Sequence, residues 1–523
     1  HVCQCRNYRE NPAEASKYTG TKHRIAGYRR RYRVQENRIG EKAGNMDLNK
    51  CIGGEILIRE VRDACSPLEA FCRFVSQKNL FFLDSALPIK GISRYSFLGF
   101  QPFLTMKTKH RKITLTDKDG ILEIEGNPFE HLRELLKQFS LKNTNDSIPF
   151  QCGVVGYFGY DLCHFIERLP SNAIDDIGLP DMYMGFYDTV ISYDNLLEKC
   201  HVIGVDFGLD SALEDRMKQA VEVLCRKSDS VYETTYHKPN PKITETTLRF
   251  NFTKEHYLNA IRHIKDYISA GDVYQVNLSH RIETHLDIPP YELYRILRSV
   301  NPAPFSCYLN FDDVAIISSS PERFLNVHAK HVQTRPIKGT RPRGKDAKTD
   351  EIMKQELLSS PKDDAELTMI IDLERNDLGR VCDYGSVKVT ERKVLETYPT
   401  VYHLVSTVEG DLHERYDLID LLKATFPGGS ITGAPKIRAM QIIDELEPTQ
   451  RSVYTGVIGY IGFNGDADLN IAIRTFITKD KTVYFQVGSG IVADSNEEDE
   501  YEETMHKAKA LIDSLKPCPI SFS

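Results

Sequence analysis

Two side chains in the second half of the chain have the chemistry for covalent and acid–base catalysis. Lys338 lies in the extended segment TRPIKGTRPRG, close in sequence to Arg335, Arg341 and Arg343. A lysine in a desolvated pocket among other cations has a depressed pKa, and its neutral amine is then a nucleophile. Glu322 follows a strand-like segment and a proline, where its carboxyl group could exchange protons with a substrate. The ordinary alternatives are a solvated lysine at a strand edge and a plain loop carboxylate, and the pattern leaves both open.

A row of acidic residues followed by lysines opens a helix predicted over 497–515. Glu500, Glu503 and Lys507 are spaced by three and four residues, so a helix places them along one stripe. Together with Glu366 on another predicted helix, they offer the oxygen ligands that Mg2+ takes alongside water or substrate oxygens. A solvated helix face with an ordinary Glu503–Lys507 ion pair is the alternative.

Two glycine-rich segments are candidates for binding an anion or a closely approaching ligand. FPGGSITGAPK, at 426–436, precedes a predicted helix, so its backbone N–H groups could hold an anion. It lacks the Gly-Lys-Ser/Thr ending of a nucleotide-binding P-loop. The GSG at 488–490 ends a predicted strand, and its small residues allow a ligand to approach the backbone.

These residues must be positioned by a mixture of strands and helices. Thr253 is typical of a helix N-cap, apolar residues recur at helical spacing after it, and Gly271 ends the pattern. Gln275 then begins an alternation that predicts a half-buried strand. Further strands are predicted at 315–319, 332–338, 401–408, 457–463, 471–476 and 483–487, and helices at 365–378 and 436–445. Strand pairs with helices inserted between them favour an α+β fold over a regular βαβ alternation.

Composition and charge exclude several classes of protein. The 523 residues carry 67 Lys and Arg against 74 Asp and Glu, a net charge of −7, which argues against nucleic-acid binding. No apolar run approaches the roughly 18 residues that span a bilayer. The 12 scattered cysteines fit reduced thiols. We therefore expect a cytoplasmic protein that binds neither nucleic acid nor membrane.

The chain divides into four predicted regions. Residues 1–45 contain 11 Lys and Arg, 4 Glu and no Asp, and are predicted to be a disordered basic extension. Residues 46–227 form a strand-rich N-terminal region, and 228–247 form a polar linker. The region 248–517 carries the motifs described above.

Six motifs occur in an order and spacing that resemble one family, the chorismate-utilising enzymes. They are SSSPERFL, PIKGTRPRG, IDLERNDLGRVC, FPGGSITGAPKIRAM, TGVIGYIG and GSGIVADSNEEDEYEET, and the resemblance is strongest from Phe250 to Leu515. The family includes component I of anthranilate synthase and of aminodeoxychorismate synthase. The resemblance implies an α+β fold in which two antiparallel sheets pack face to face, with helices outside and a cleft between the sheets.

The resemblance also implies roles for individual residues. Lys338, Glu322 and His403 are implied to be catalytic, with Glu322 as the general acid and base and His403 beside the substrate ring. The implied substrate-binding residues are Thr432, Tyr454, Arg474, Gly488, Ser489, Gly490, Lys507 and Gln275.

A Mg2+ site is implied in the same way. Glu366 and Glu503 resemble the carboxylate ligands of the family, with Glu500 and Asp363 as direct or water-mediated ligands. The ion is expected to neutralise a carboxylate of chorismate.

Two positions distinguish between the reactions of the family. Relatives that form isochorismate or salicylate have a water-activating lysine where this chain has Gln275, so attack by water is disfavoured. Anthranilate synthases carry alanine where this chain has Lys338, and aminodeoxychorismate synthases often carry this lysine. The resemblance therefore favours aminodeoxychorismate formation, a step toward p-aminobenzoate and folate. Anthranilate formation and a non-catalytic chorismate-binding paralogue are the alternatives.

Ammonia for either amination must come from elsewhere, because no cysteine lies in a context typical of a glutaminase nucleophile. The resemblance implies a separate glutamine amidotransferase subunit as partner, in addition to the substrate chorismate.

Overall fold

The computed structural model describes residues 52–145, 148–209, 212–227, 248–398 and 401–516. The predicted extension 1–45 and the predicted linker 228–247 lie outside these residues. The described residues all belong to one compact unit, Ile39–Ser523.

Most of the unit is built from strands. The N-terminal region contains β1 (Ile52–Val61), β2 (Leu80–Asp84), β3 (Tyr95–Gly99), β4 (Leu104–Lys109), β5 (Lys112–Asp117), β6 (Ile121–Glu125), β7 (Phe139–Leu141), β8 (Gly153–Phe158), β9 (Met182–Tyr187), β10 (Thr189–Asp194) and β11 (Lys199–Asp206). The C-terminal region contains β12 (Arg249–Phe250), β13 (Gln275–His285), β14 (Phe305–Phe311), β15 (Val314–Ser320), β16 (Arg323–His328), β17 (His331–Arg335), β18 (Ile337–Pro342), β19 (Lys388–Thr397), β20 (Val401–Asp411), β21 (Gly433–Ala434), β22 (Val457–Gly462), β23 (Ala467–Ile471), β24 (Thr475–Lys479) and β25 (Thr482–Ile491).

The helices lie between these strands along the chain. They are α1 (Pro67–Phe74), α2 (Pro128–Gln138), α3 (Leu213–Cys225), α4 (Lys254–Ala270), α5 (Pro290–Val300), α6 (Ala347–Ser359), α7 (Pro361–Gly379), α8 (Leu418–Thr425), α9 (Lys436–Leu446) and α10 (Glu497–Leu515). No helix in the described part of the chain is long and apolar enough to cross a bilayer.

Within the described residues, the strands form two large sheets. The first has 13 strands, in the order β12-β13-β25-β24-β15-β14-β2-β3-β10-β11-β1-β7, with β21 beside β13. The second has 12 strands, in the order β18-β20-β17-β16-β23-β22-β8-β9-β4-β5-β6, with β19 beside β20. Neighbouring strands are antiparallel, except that β1 and β7 are parallel.

Each sheet contains strands from both the N-terminal and the C-terminal region. In the first sheet β14 pairs with β2, which places Cys307 opposite Leu83. In the second sheet β22 pairs with β8, which places Tyr460 opposite Val155. A boundary at the linker therefore divides the chain in sequence, but the two regions share both sheets in space.

The two sheets pack face to face over the largest apolar core. Phe81 and Leu309 of the first sheet are buried in the same cluster as Val154 and Met184 of the second. Successive strand side chains point to opposite faces, so Phe82 belongs to a different cluster, formed with residues of α1, α3, α5 and α10. The predicted α+β fold, with two antiparallel sheets face to face and helices outside, is confirmed.

Local signals predicted some elements well and others less well. Helix α4 begins after Thr253, whose Oγ1 accepts the N–H of His256 at 3.2 Å, and ends at Gly271, whose φ is 83°. The single strand predicted over 332–338 is two strands, β17 and β18, because Pro336 lies between them and has no N–H to donate. The strand predicted over 471–476 is also wrong, because Arg474 adopts φ 50° and separates β23 from β24.

Candidate active site

Ser430, in the glycine-rich segment between α8 and α9, contacts both of the predicted reacting groups. Its Oγ donates a hydrogen bond to Glu322 Oε1 at 2.6 Å, and its backbone O accepts one from Lys338 Nζ at 3.2 Å. Glu322 Oε1 also accepts the N–H of Ile337 at 3.4 Å. The carboxyl group and the amine therefore converge on one residue of a third segment.

Burial shifts both groups toward their neutral forms. Glu322 is 3% exposed, and burial raises its pKa against the lowering effects of the Ser430 hydrogen bond and the Lys338 charge. Burial lowers the pKa of Lys338, while Glu366 opposes this shift and Lys507 adds to it. A proton-donating acid and a nucleophilic amine are thus both favoured at this place.

Glu366 of α7 and Glu503 of α10 lie close enough to Lys338 for their charges to raise the pKa of its amine, against the effect of burial. Burial raises the pKa of Glu366, and the charge of Glu503 contributes to the rise. The ammonium group of Lys507, 2.7 Å from Glu503 Oε1, lowers the pKa of that carboxyl. Two carboxylates are enough for Mg2+, which completes its coordination with water or substrate oxygens.

Glu500 and Asp363, the other two predicted metal ligands, are engaged in contacts within the protein. Glu500 is 4% exposed and accepts hydrogen bonds from the hydroxyl groups of Ser489 and Ser495 at 2.7 and 2.6 Å. Asp363 accepts a hydrogen bond from Arg341 at 3.0 Å. Among the described residues, no three His, Cys, Asp or Glu side chains are grouped to hold a metal. A direct role for Glu500 and Asp363 as ligands stays a prediction.

His403 presents an unpaired nitrogen atom in a buried environment, and Arg474 is a half-buried cation close enough to affect its pKa. The Nδ1 of His403 lies 2.8 Å from Thr340 Oγ1, and its buried Nε2 has no hydrogen-bond partner within the described residues. Burial and the charge of Arg474 lower the pKa of His403 to about 3, so the ring is neutral near pH 7. The Arg474 guanidinium, whose pKa is lowered by burial, has no hydrogen bond or ion pair to the described part of the chain. Such a cation can bind a carboxylate with little competition.

The GSG segment does not end its strand as predicted: it lies inside β25, where Gly488, Ser489 and Gly490 pair with residues 277–279 of β13. The backbone O of Gly488 accepts a hydrogen bond from Lys507 Nζ at 3.0 Å, and the Ser489 hydroxyl is used by α10. The Nε2 of Gln275 is buried without a partner among the described residues. A Cβ atom at Gly490 would lie 2.7 Å from that nitrogen, so a side chain at this position would force the Gln275 amide to move.

Thr432 and Tyr454, two further predicted substrate contacts, are both buried. The Thr432 hydroxyl donates to the backbone O of Gly428 at 2.9 Å, so it stabilises its own segment. The Tyr454 ring lies 5.8 Å from the guanidinium of Arg451, and burial raises the pKa of its hydroxyl group. Their contacts with a substrate stay predictions.

Several residues that support the site were missed by the sequence analysis. Ser430 lies within FPGGSITGAPK, but nothing in a linear pattern shows which hydroxyl of a glycine-rich segment faces a carboxyl group. The buried ion pair of Arg451 with Glu447 Oε1, at 2.7 Å, was also missed. Its spacing of four residues was the available signal, and the same spacing is common on exposed helices.

Three comparisons with known proteins show what this chain is similar to. The family described as chorismate binding enzyme matches residues 89–513. Over 462 residues the chain is 39% identical to anthranilate synthase component 1 of Acetivibrio thermocellus, covering 87% of this chain and 93% of that protein. Over 441 residues it is 40% identical to aminodeoxychorismate synthase component 1 of Bacillus subtilis (strain 168), covering 84% of this chain and 92% of that protein. The crystal structure of anthranilate synthase component I from Streptococcus pneumoniae TIGR4 superposes with a TM-score of 0.70 at 34% identity, covering 86% of this chain and 98% of that one.

Proposed function

Since this chain belongs to the family of chorismate-binding enzymes, we propose that it is component I of an aminodeoxychorismate synthase. It converts chorismate and ammonia to 4-amino-4-deoxychorismate. The observation that carries the proposal is the position of Lys338, whose amine and the carboxyl group of Glu322 both contact Ser430.

The first half of the proposed reaction forms a bond between the lysine and the substrate. The lone pair of the neutral Lys338 amine attacks C2 of chorismate, both conjugated ring double bonds shift by one position (C1=C2 to C6=C1 and C5=C6 to C4=C5), and the C4–O bond breaks. The departing hydroxyl takes a proton from Glu322 and leaves as water. The new secondary ammonium then returns a proton to the Glu322 carboxylate, which restores the acid.

The second half transfers nitrogen to C4. Ammonia attacks C4, both ring double bonds shift back to C5=C6 and C1=C2, and the C2–N bond to Lys338 breaks while Glu322 protonates the departing amine. The ammonium at C4 then returns a proton to Glu322, so both residues end in their starting states. The sum is chorismate plus ammonia giving 4-amino-4-deoxychorismate plus water.

The remaining residues bind and orient the substrate in this proposal. Arg474 and Lys507 attract its two carboxylates, and His403, neutral near pH 7, borders the ring. Glu366 and Glu503 would hold Mg2+, which would neutralise one substrate carboxylate when bound. A partner glutamine amidotransferase supplies the ammonia.

Anthranilate formation is the second candidate, because relatives named anthranilate synthase component 1 match this chain as well as the aminodeoxychorismate synthase does. In that reaction ammonia attacks C2 directly and pyruvate is lost, so Lys338 would only bind and orient. A non-catalytic paralogue is disfavoured because binding alone requires neither a nucleophile nor a buried acid.

Product analysis of the wild type and Lys338→Ala tests the proposal. The full chain is incubated with chorismate, Mg2+ and an ammonium salt. The products are separated by chromatography and identified by their masses. We expect 4-amino-4-deoxychorismate from the wild type and a loss of about 100-fold or more in the variant, because the covalent route is removed. Without ammonium, a peptide containing Lys338 should carry the mass of chorismate less water.

The exposed Lys345, changed to alanine, is the matched control and should react like the wild type. Anthranilate and pyruvate from the wild type would assign the chain to the second candidate function. A wild type that consumes no chorismate would contradict both.

A further inference from the structure

A buried carboxyl group of α7, outside the set of reacting residues, lies behind the glycine-rich segment. Glu374 is 3% exposed, and its Oε1 accepts the N–H of Gly429 at 3.3 Å. Its Oε2 is buried without a hydrogen-bond partner among the described residues. A buried carboxyl oxygen without a hydrogen-bond partner costs folding free energy, so its presence calls for an explanation.

The segment held by Glu374 is the one that contacts the reacting groups. Gly429 directly precedes Ser430, whose hydroxyl and backbone O bind Glu322 and Lys338. The glycine is also in close contact with α7, since a Cβ atom there would lie 3.2 Å from Glu374 Oε1 and 3.3 Å from Leu373 Cβ. One peptide unit therefore separates the Glu374 contact from both reacting groups.

A second contact fixes the end of the same segment. Lys436, at the start of α9, forms an ion pair with Asp377 of α7 and donates to the backbone O of Thr425, at the end of α8, at 2.8 Å. Glu374 and Asp377 are three residues apart and so share a face of α7. Glu374 on that face binds the middle of the segment at Gly429. Asp377 on the same face binds Lys436, the last residue of the segment, which in turn contacts Thr425 just before its start.

We propose that Glu374 is a positioning residue that fixes Ser430, and through it Glu322 and Lys338, by holding the Gly429 peptide against α7. The inference rests on the proposed use of Glu322 and Lys338 on chorismate. It doesn't depend on which of the two aminated products is formed, because a displaced acid would slow either reaction.

The charges around Glu374 make its neutral form the favoured one. Burial raises its pKa, the neighbouring carboxylate of Asp377 raises it further, and Lys436 opposes the rise. Glu322, in the turn after β15, is the other acid that faces it, and Arg380 compensates Asp377 from the end of α7. At neutral pH Glu374 thus binds the glycine-rich segment without adding a negative charge beside Glu322.

The test compares Glu374→Leu, Glu374→Gln and the exposed control Asp372→Asn of the same helix in the full chain. Total chorismate consumption with ammonium and Mg2+ is measured, whichever product forms. We expect Glu374→Leu to lower kcat by about 10- to 100-fold with little change in KM for chorismate, because the reacting groups are misplaced rather than the binding groups. Glu374→Gln retains the acceptor for Gly429 and should restore most of kcat at neutral pH.

The pH profile separates positioning from general support of the fold. The charge of Glu322 is one cause of the raised pKa of Glu374, so Glu322 ionises first and Glu374 follows at higher pH. The alkaline limb of kcat should therefore contain a second ionisation in the wild type that is absent in Glu374→Gln. Asp372→Asn should leave the limb in place.

A folded Glu374→Leu with wild-type kcat would overturn the inference. If Glu374→Leu does not fold, a Glu374→Gln profile identical to the wild type, or a kcat lowered equally at every pH, would overturn it. A wild type that consumes no chorismate would instead contradict the proposed function itself.

Discussion

At the scale of single residues, the site is defined by a few polar groups whose environments set their protonation. Burial favours the neutral forms of Glu322 and Lys338, and it makes His403 a neutral ring. The hydroxyl of Ser430 acts against the shift of Glu322, because a hydrogen bond to a carboxylate stabilises the charged form. The acidity of the proposed proton donor thus depends on one neighbouring side chain.

Changing Ser430 to alanine should move the pH dependence of the reaction. The hydrogen bond to Glu322 lowers the pKa of that carboxyl, so its removal raises the pKa and shifts the alkaline limb of kcat to higher pH. We expect kcat near neutral pH to fall by about 10-fold, because the acid is less well oriented. The measurement is kcat from pH 6 to 10, with Ser171→Ala, a change of an exposed serine, as control. An alkaline limb that moves to lower pH would contradict this account.

At the scale of elements, two helices bring charged residues to the reacting groups. Helix α7 carries Glu366, a ligand of the proposed Mg2+ site, and Glu374 behind the glycine-rich segment. Helix α10 carries Glu503 and Lys507, and its position is fixed by Glu500, which binds Ser489 of β25 and Ser495 before the helix. The structure therefore suggests an anchoring use for Glu500.

Changing Glu500 to alanine should lower the stability of the protein and change the Mg2+ concentration needed for half-maximal activity little. Two buried serine hydroxyl groups would lose their acceptor, and we expect the free energy of unfolding to fall by about 1 to 3 kcal/mol. Glu503→Gln, at a position about half exposed, should change stability little but raise the Mg2+ concentration needed for half-maximal activity. Urea unfolding and Mg2+ titrations of both variants are the measurements, with the exposed Glu498→Ala as control. A large Mg2+ effect in Glu500→Ala without loss of stability would support ligation by Glu500.

At the scale of the whole molecule, a buried arginine joins segments that are distant in sequence. Arg451 pairs with Glu447, donates to the backbone O of Ile431 at 3.0 Å and of Asn277 at 2.7 Å, and lies 4.8 Å from the ring of Tyr160. Tyr160 belongs to the N-terminal region, and Asn277 belongs to β13 of the C-terminal region. The arginine thus connects both regions to the glycine-rich segment.

Replacing Arg451 by methionine should be among the most destabilising single changes. Glu447 would remain as a buried carboxylate without its partner, which typically costs about 3 to 5 kcal/mol. The double variant Arg451→Met with Glu447→Gln should recover part of the loss, because the uncompensated charge is removed. The free energy of unfolding in urea is measured for the single and the double variant. The control is Arg375→Met, which removes an arginine from an exposed ion pair with Asp372. A double variant less stable than the single one would contradict this explanation.

Local signals in the sequence were sufficient for most elements and for the types of residue that carry the chemistry. The cap at Thr253 and the glycine at 271 bound α4 because these signals act within a few residues. The alternation of buried strands and the order of six motifs were enough to predict the α+β fold and the family. Breaks that depend on a single backbone conformation, at Pro336 and at Arg474, were missed because strand propensity alone continues through them.

The tertiary structure alone decided which groups meet and in what protonation state. Glu322, Lys338 and Ser430 come from three separate segments, and only their packing brings one hydroxyl between an acid and an amine. Burial, which shifts these pKa values, is a property of all the surrounding elements and is not encoded in any one of them. The same is true of Glu374, an ordinary acid in a helical pattern whose use is visible only because α7 lies directly behind Gly429.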